Sequence, residues 1–184
     1  MGGRILEIKE LKNYKRENII NLIEGNNLRG IELGIARGIF AERMINSNRF
    51  SEYYGIDVYA NDGSHTVNQY KEAINRVGIR SNFKLLRMYF KEALDLFEDE
   101  YFDFIYVDGY AHTGEEGGRT FKDWFPKLRR GGLFAGDDYD SKKWPLVVNN
   151  VNQFMENKGY NSLHLTNIVE QEEYCYYPTW GFIK

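Results

Sequence analysis

Apolar and polar positions along this chain switch repeatedly between a helical period and the near-continuous runs of buried strands. Ile19, Ile20, Leu22 and Ile23 give a leading helix over 11–24 its apolar side, and Gly25-Asn26-Asn27 ends it. Leu28 to Leu33 reads as a first strand running into Gly34, residues 37–46 as a helix, and Tyr53 to Val58 as a second strand. Asn61-Asp62-Gly63-Ser64 is a turn cluster, after which Val67, Tyr70, Ile74 and Val77 mark a helix closed by Gly78. Phe83 to Leu86 predicts a third strand and Phe90 to Phe97 a short helix. Phe102 to Val107, apolar at five of six positions, has the pattern of a central strand covered on both faces. Phe121, Trp124, Phe125 and Leu128 form another helical stripe closed by Gly131-Gly132, and Leu133 to Gly136 is a fifth strand. Val147, Val151, Phe154 and Met155 mark a last helix, and residues 160–183 hold two strand-like pieces with no helix between them.

Strands that alternate with helices and then close in a pair predict an α/β fold. The expected architecture is a Rossmann-like doubly wound sandwich, with a mostly parallel seven-stranded sheet ending in an antiparallel hairpin. The 184 residues make one domain, 1–27 being the leading helix and turn and 28–184 the core. Right-handed crossovers put the loops that follow the strands along one edge, so candidate chemistry is sought there.

Composition narrows the partners. Apolar residues at 42%, aromatics being 16% of the chain, can fill such a core. A net charge of -3 gives no basic field to grip a nucleic-acid backbone, so no nucleic-acid partner is expected. The single cysteine, Cys175, excludes an intrachain disulfide and a four-cysteine zinc site. No apolar run nears the roughly 18 residues that span a bilayer. Met1-Gly2-Gly3-Arg4-Ile5-Leu6 carries neither a signal-peptide core nor the Ser or Thr of a myristoylation signal. The expectation is a compact cytoplasmic domain with no membrane association; a homo-oligomer is left open.

The loop after the first strand reads Glu32-Leu33-Gly34-Ile35-Ala36-Arg37-Gly38. Gly34 permits a tight turn and Gly38 a close helix, so backbone N–H groups can face a polar ligand. A dinucleotide fingerprint needs glycine where Ala36 and Ile39 stand, which argues against a nicotinamide or flavin site. Asp57 ends the second strand 23 residues beyond Gly34, a spacing suited to an acid that accepts both hydroxyls of a ribose. Asp108 follows the fourth strand, and Asp137 and Asp138 follow the fifth. Three carboxylates on one edge repel unless a cation joins them, and an all-oxygen set suits Mg²⁺, Ca²⁺ or Mn²⁺. His112, four residues beyond Asp108, is a candidate base, whereas His65 and His164 belong to no constellation. Tyr59, Tyr110, Tyr139, Trp144 and Trp180 could line an acceptor cleft or simply pack.

Together these motifs resemble the class I S-adenosylmethionine-dependent methyltransferases, from about Arg29 to the C-terminus. The block from Phe102-Asp103-Phe104 through Val107-Asp108-Gly109, Trp124-Phe125-Pro126, Arg130-Gly131-Gly132 and Gly136-Asp137-Asp138-Tyr139 is similar to a metal-using small-molecule and sugar O-methyltransferase group. The Tyr177-Pro178-Thr179-Trp180-Gly181-Phe182 ending fits the same group. The resemblance implies a cofactor site at Glu32, Gly34, Ala36, Gly38, Asp57 and Asp108, with Met88 and Tyr89 passing the adenine. It implies Mg²⁺ on Asp108, Asp137 and Asp138, catalysis by Asp108 and His112, and a small-molecule or sugar hydroxyl as acceptor. The chain departs from the group in three places. Tyr110 stands where the sugar enzymes keep a basic Asp, Ala111 shifts His112 by one position, and Phe90 replaces a usual Ser. A metal-independent enzyme and a non-catalytic cofactor-binding subunit are the alternatives.

Overall fold

A computed structural model describes residues 6–61, 65–109, 116–169 and 175–184. Its strands are β1 (Glu7–Leu11), β2 (Leu28–Leu33), β3 (Phe50–Asp57), β4 (Phe83–Arg87), β5 (Phe102–Val107), β6 (Leu128–Gly136), β7 (Ser162–Thr166) and β8 (Trp180–Ile183). The helices are α1 (Ile39–Asn46), α2 (Val67–Val77), α3 (Phe90–Ala93), α4 (Arg119–Trp124) and α5 (Pro145–Lys158). One sheet contains all eight strands in the order β1-β7-β8-β6-β5-β2-β3-β4, and β8 alone runs against its neighbours. The α/β, Rossmann-like expectation therefore holds, with a mostly parallel sheet and an antiparallel closing pair.

β5 shows why the middle of the sheet reads so clearly. Phe104 and Tyr106 enter the core on one face with Phe40, Met44 and Ala73, while Ile105 and Val107 enter the other with Phe121, Phe134 and Trp180. A strand covered on both faces has little room for polar residues.

Two expectations about the start of the chain are corrected. Among the described residues the sheet has eight strands, not seven, because β1 pairs parallel to β7 from Glu7↔Ser162 to Leu11↔Thr166. Its sequence, Glu-Ile-Lys-Glu-Leu, is almost wholly exposed, so edge hydrogen bonds hold it and no apolar stripe announces it. The expected helix over 11–24 is a 3-10 helix over Arg16–Leu22. Leu11 is taken by β1, the Lys15 N–H donates to Asn18 Oδ1 at 2.9 Å, and the chain is extended again at Ile23. The apolar stripe itself is real, for Ile19, Ile20 and Ile23 are all buried. β6 also begins five residues earlier than its apolar run, at Leu128 opposite Phe102. Since β1 runs parallel to β6, it delivers the chain to the same edge where β2, β3, β5 and β6 end.

Candidate functional site at the strand ends

Gly34 makes the site's first turn. Its φ is 101°, and a Cβ there would lie 2.2 Å from the Asp108 carbonyl oxygen. Only glycine allows β2 and β5 to leave the sheet so close together. The Asp108 N–H donates to Leu33 O at 2.8 Å and the Gly34 N–H to Ile56 O at 2.8 Å, so three strand exits are stitched at this point. Gly109 is tight for the same reason: a Cβ would lie 2.3 Å from the Phe90 ring. Ala36 has φ 47°, and its carbonyl accepts a 2.8 Å bond from the Tyr59 hydroxyl. Burial pushes the Tyr59 phenol well above its ordinary pKa, so it remains a neutral donor. Gly38, with φ 76°, caps α1 and packs against Ala73.

Asp57 closes this loop from β3. Its Oδ2 accepts the Ile35 and Ala36 N–H groups, both at 2.9 Å, and Tyr59 N–H reaches Oδ1 at 3.3 Å. His65 Nδ1 meets Oδ2 at 2.5 Å, so His65 belongs to the site, contrary to the sequence reading. That hydrogen bond, with the attraction of Asp57, raises the His65 pKa. An acid eight residues upstream at a strand end was the only signal for the pairing.

Glu32 is buried beneath the loop, where Tyr53 donates to its Oε2 at 3.3 Å. Burial pushes this carboxyl well above the usual range, with Arg16 opposing the shift. A cavity of about 250 Å³ opens beside it, lined among others by Ile35, Ala36, Arg16 and Asp108. A larger groove of about 610 Å³, bounded by Glu17, Asn21, Arg43 and Arg49, includes none of these strand-end groups. Met88 and Tyr89 follow β4 on the same edge; Met88 packs partly buried on the core, and Tyr89 is 52% exposed. His112 and Tyr110 lie outside the described residues. Trp180 and Tyr59 are core residues, and Tyr139 bonds Asn152 at 2.7 Å.

Asp108, Asp137 and Asp138 do come to one region, but the expected divalent-cation site does not fit it. Arg16 reaches in from the 3-10 segment, pairing with Asp108 Oδ2 and, at 3.1 Å, with Asp137 Oδ2. The other Asp137 oxygen accepts from the Thr179 hydroxyl at 3.2 Å. Both Asp137 oxygens are committed, and a positive charge already stands where Mg²⁺ would bind. Among the described residues no group of three or more His, Cys, Asp or Glu side chains is arranged to hold a metal ion. Sequence gave no reason to separate Arg16 from the neighbouring Lys12 and Lys15. Burial opposes the Arg16 charge, but Asp108 and Asp137 outweigh it and raise its pKa well above the ordinary value. Burial likewise pushes Asp137 up to about 8 and Asp138 up to about 7. Burial thus favours the protonated forms of Asp137 and Asp138, while Arg16 opposes the shift of both.

The cofactor expectation fares differently. A glycine turn with no room for a side chain, a loop tied down by Asp57 and an adjoining cavity suit S-adenosylmethionine. The family model described as "Methyltransferase domain" matches residues 31–139, from β2 through the end of β6. Among solved structures, the fold is similar to precorrin-6y C5,15-methyltransferase from Geobacter metallireducens, with TM-score 0.64 and 13% identity over 90% of this chain and 85% of that one. It is similar to the N-methyltransferase NodS from Bradyrhizobium japonicum, with TM-score 0.60 and 17% identity over 89% of each chain. It is also similar to tRNA (m1A58) methyltransferase TrmI from Aquifex aeolicus, with TM-score 0.63 and 15% identity over 89% of this chain and 64% of that one. A search of curated proteins found no match. At such identities the structural likenesses carry the fold alone, and the family rests on the model spanning more than half of the chain. The chain belongs to the methyltransferase-domain family.

Proposed function

We propose that this chain methylates a hydroxyl of a small polar acceptor. The observation that carries the reading is the junction at Gly34. There the loop closed by Asp57 touches the backbone of Asp108, which sets a cofactor cradle directly beside a cluster of acids. Bound S-adenosylmethionine supplies a sulfonium-activated methyl carbon and leaves as S-adenosylhomocysteine. The chain's own residues do the rest. Asp57 holds the Ile35 and Ala36 amides with Oδ2, and its Oδ1, which the Tyr59 N–H meets at 3.3 Å, keeps a lone pair for a ribose hydroxyl, while Met88 and Tyr89 border the adenine. Asp108 orients the acceptor oxygen, and His112 takes its proton. The net charge of -3 offers no basic field to hold a nucleic-acid backbone, which favours a small acceptor.

Calorimetric titration of S-adenosylmethionine and S-adenosylhomocysteine in EDTA tests the cofactor half. Binding of both is expected, and failure of both to bind overturns the proposal. A panel of small hydroxyl and amine compounds, followed by S-adenosylhomocysteine release, tests the acceptor half. Turnover confined to amines would refute O-methylation.

A further inference from the structure

We propose that Arg16 is a built-in cation, taking at the acid cluster the place of a divalent metal and acting as the positioning residue for Asp108 and Asp137. The inference deepens the proposed methyl transfer, but its test needs neither cofactor nor acceptor. Four observations support it.

The guanidinium joins two carboxylates that the pairing of β5 with β6 brings side by side, Val107 standing opposite Gly136 and the Asp137 N–H donating to Val107 O at 3.3 Å. Its surroundings are built: the side chain is 4% exposed, with the Phe40 and Tyr106 ring centroids 4.7 and 5.0 Å from its central carbon. Planar, delocalised and weakly hydrated, guanidinium tolerates that setting better than an ammonium or a hydrated Mg²⁺. The segment that carries Arg16 is anchored on both sides. Ile19 and Ile20 are buried behind it, while ahead of it Asn13 N–H donates to Asn167 Oδ1 at 2.9 Å and Tyr14 O accepts from Ile168 N–H at 3.1 Å. Finally, the Thr179 hydroxyl donates to the second Asp137 oxygen at 3.2 Å, so both oxygens of that carboxylate already have partners within the chain. β1 is the reason for this geometry, because it ends on the sheet's ligand edge at Leu11, five residues before Arg16.

The test is metal binding and its linkage to stability. Mn²⁺ is titrated into the full chain under electron paramagnetic resonance, and melting is followed with Mg²⁺ or with EDTA. Wild type is expected to take up no Mn²⁺ at the cluster and to melt at the same temperature in both buffers. Arg16→Ala should gain a Mn²⁺ site and be raised in Tm by Mg²⁺, because a ligand that binds only the folded state stabilises it. Asp137→Asn in that background should abolish the gain, and Arg16→Lys should restore exclusion of the metal. Mn²⁺ binding to wild type that Asp137→Asn removes would overturn the proposal. So would an Arg16→Ala protein that folds but binds no metal. Should Arg16→Ala fail to fold, the wild-type titration and Arg16→Lys decide, since Arg16→Lys binding Mn²⁺ no better than wild type is the supporting result and stronger binding overturns it.

Discussion

Replacing Gly34 by alanine should damage both stability and cofactor binding, and the structure separates the two contributions to the damage. The residue sits at φ 101°, where an L side chain costs about 1–2 kcal/mol. The added Cβ would also meet the Asp108 carbonyl oxygen at 2.2 Å and the Gly109 Cα at 2.5 Å. Both are backbone atoms that cannot rotate away, so relief requires the β5 exit to move, at about 1–3 kcal/mol. Together these give roughly 2–5 kcal/mol, or about 4–20 °C in Tm for a chain of this size. Gly159→Ala is the control, because Gly159 also has positive φ, 78°, but meets nothing within 4 Å. It should show the backbone cost alone. Thermal melts of both variants, with S-adenosylhomocysteine calorimetry on each, measure the difference. Gly34→Ala should melt lower than Gly159→Ala and bind S-adenosylhomocysteine at least tenfold more weakly, while Gly159→Ala binds as wild type. Equal melting of the two and unchanged affinity would refute the claim that the β2–β5 approach builds the site.

Three further outcomes are expected. Asp57→Ala should weaken S-adenosylhomocysteine binding by about 1–3 kcal/mol, since Ile35 and Ala36 lose their acceptor as well as any ribose contact; an unchanged titration would remove Asp57 from the site. His65→Gln should destabilise by about 1 kcal/mol after allowance for the one-third exposure of the ring. Because the folded His65 pKa lies above the unfolded one, that contribution is complete below about pH 6.5 and fades as pH rises through the folded value, so melts at about pH 5.5 should separate the proteins and melts at about pH 9 should not. Thr66→Ala breaks the reciprocal Thr66–Gln69 cap of α2 and should lower stability by about 1 kcal/mol, read as 2–4 °C in Tm; no shift would mean the cap is not holding the helix.

What could be read in the sequence follows from what buries side chains. β2 and β5 were expected at the residues where they occur, because a strand buried on both faces is written as an apolar run. α2 was likewise marked by its own stripe and its closing glycine. β1 was missed because its stability comes from backbone pairing with β7, which leaves almost no trace in side-chain polarity. The site divides in the same way. Asp57, Asp108 and Asp137 were found because topology puts strand-end residues on one edge. Their partners were not, since Arg16, His65 and Thr179 come from segments that reach the edge only through tertiary packing. The metal expectation was drawn without that step: acids in the right places imply a cation, and sequence alone could not show that Arg16 pairs with two of them.

The strand order explains why these partners sort as they do. From β2 the sheet grows through β3 and β4 on one side and through β5 and β6 on the other, so the order reverses between β2 and β5. Ligands in open α/β sheets lie at such a reversal, because the loops there turn apart and leave a crevice. In this chain Gly34 and Asp108 occupy the reversal itself, close enough to exclude a methyl group. On the β3 side, Asp57 Oδ2 engages loop amides and His65, groups that shape a cradle. On the β6 side, Asp108 and Asp137 turn toward Arg16, which shapes an anionic wall around one fixed cation. Moving either acid by one residue would reverse its side of the strand and break this division. The reversal point thus separates a half built from loop amides around Asp57 from a half built from acids around Arg16, and the two halves must be perturbed by different mutations.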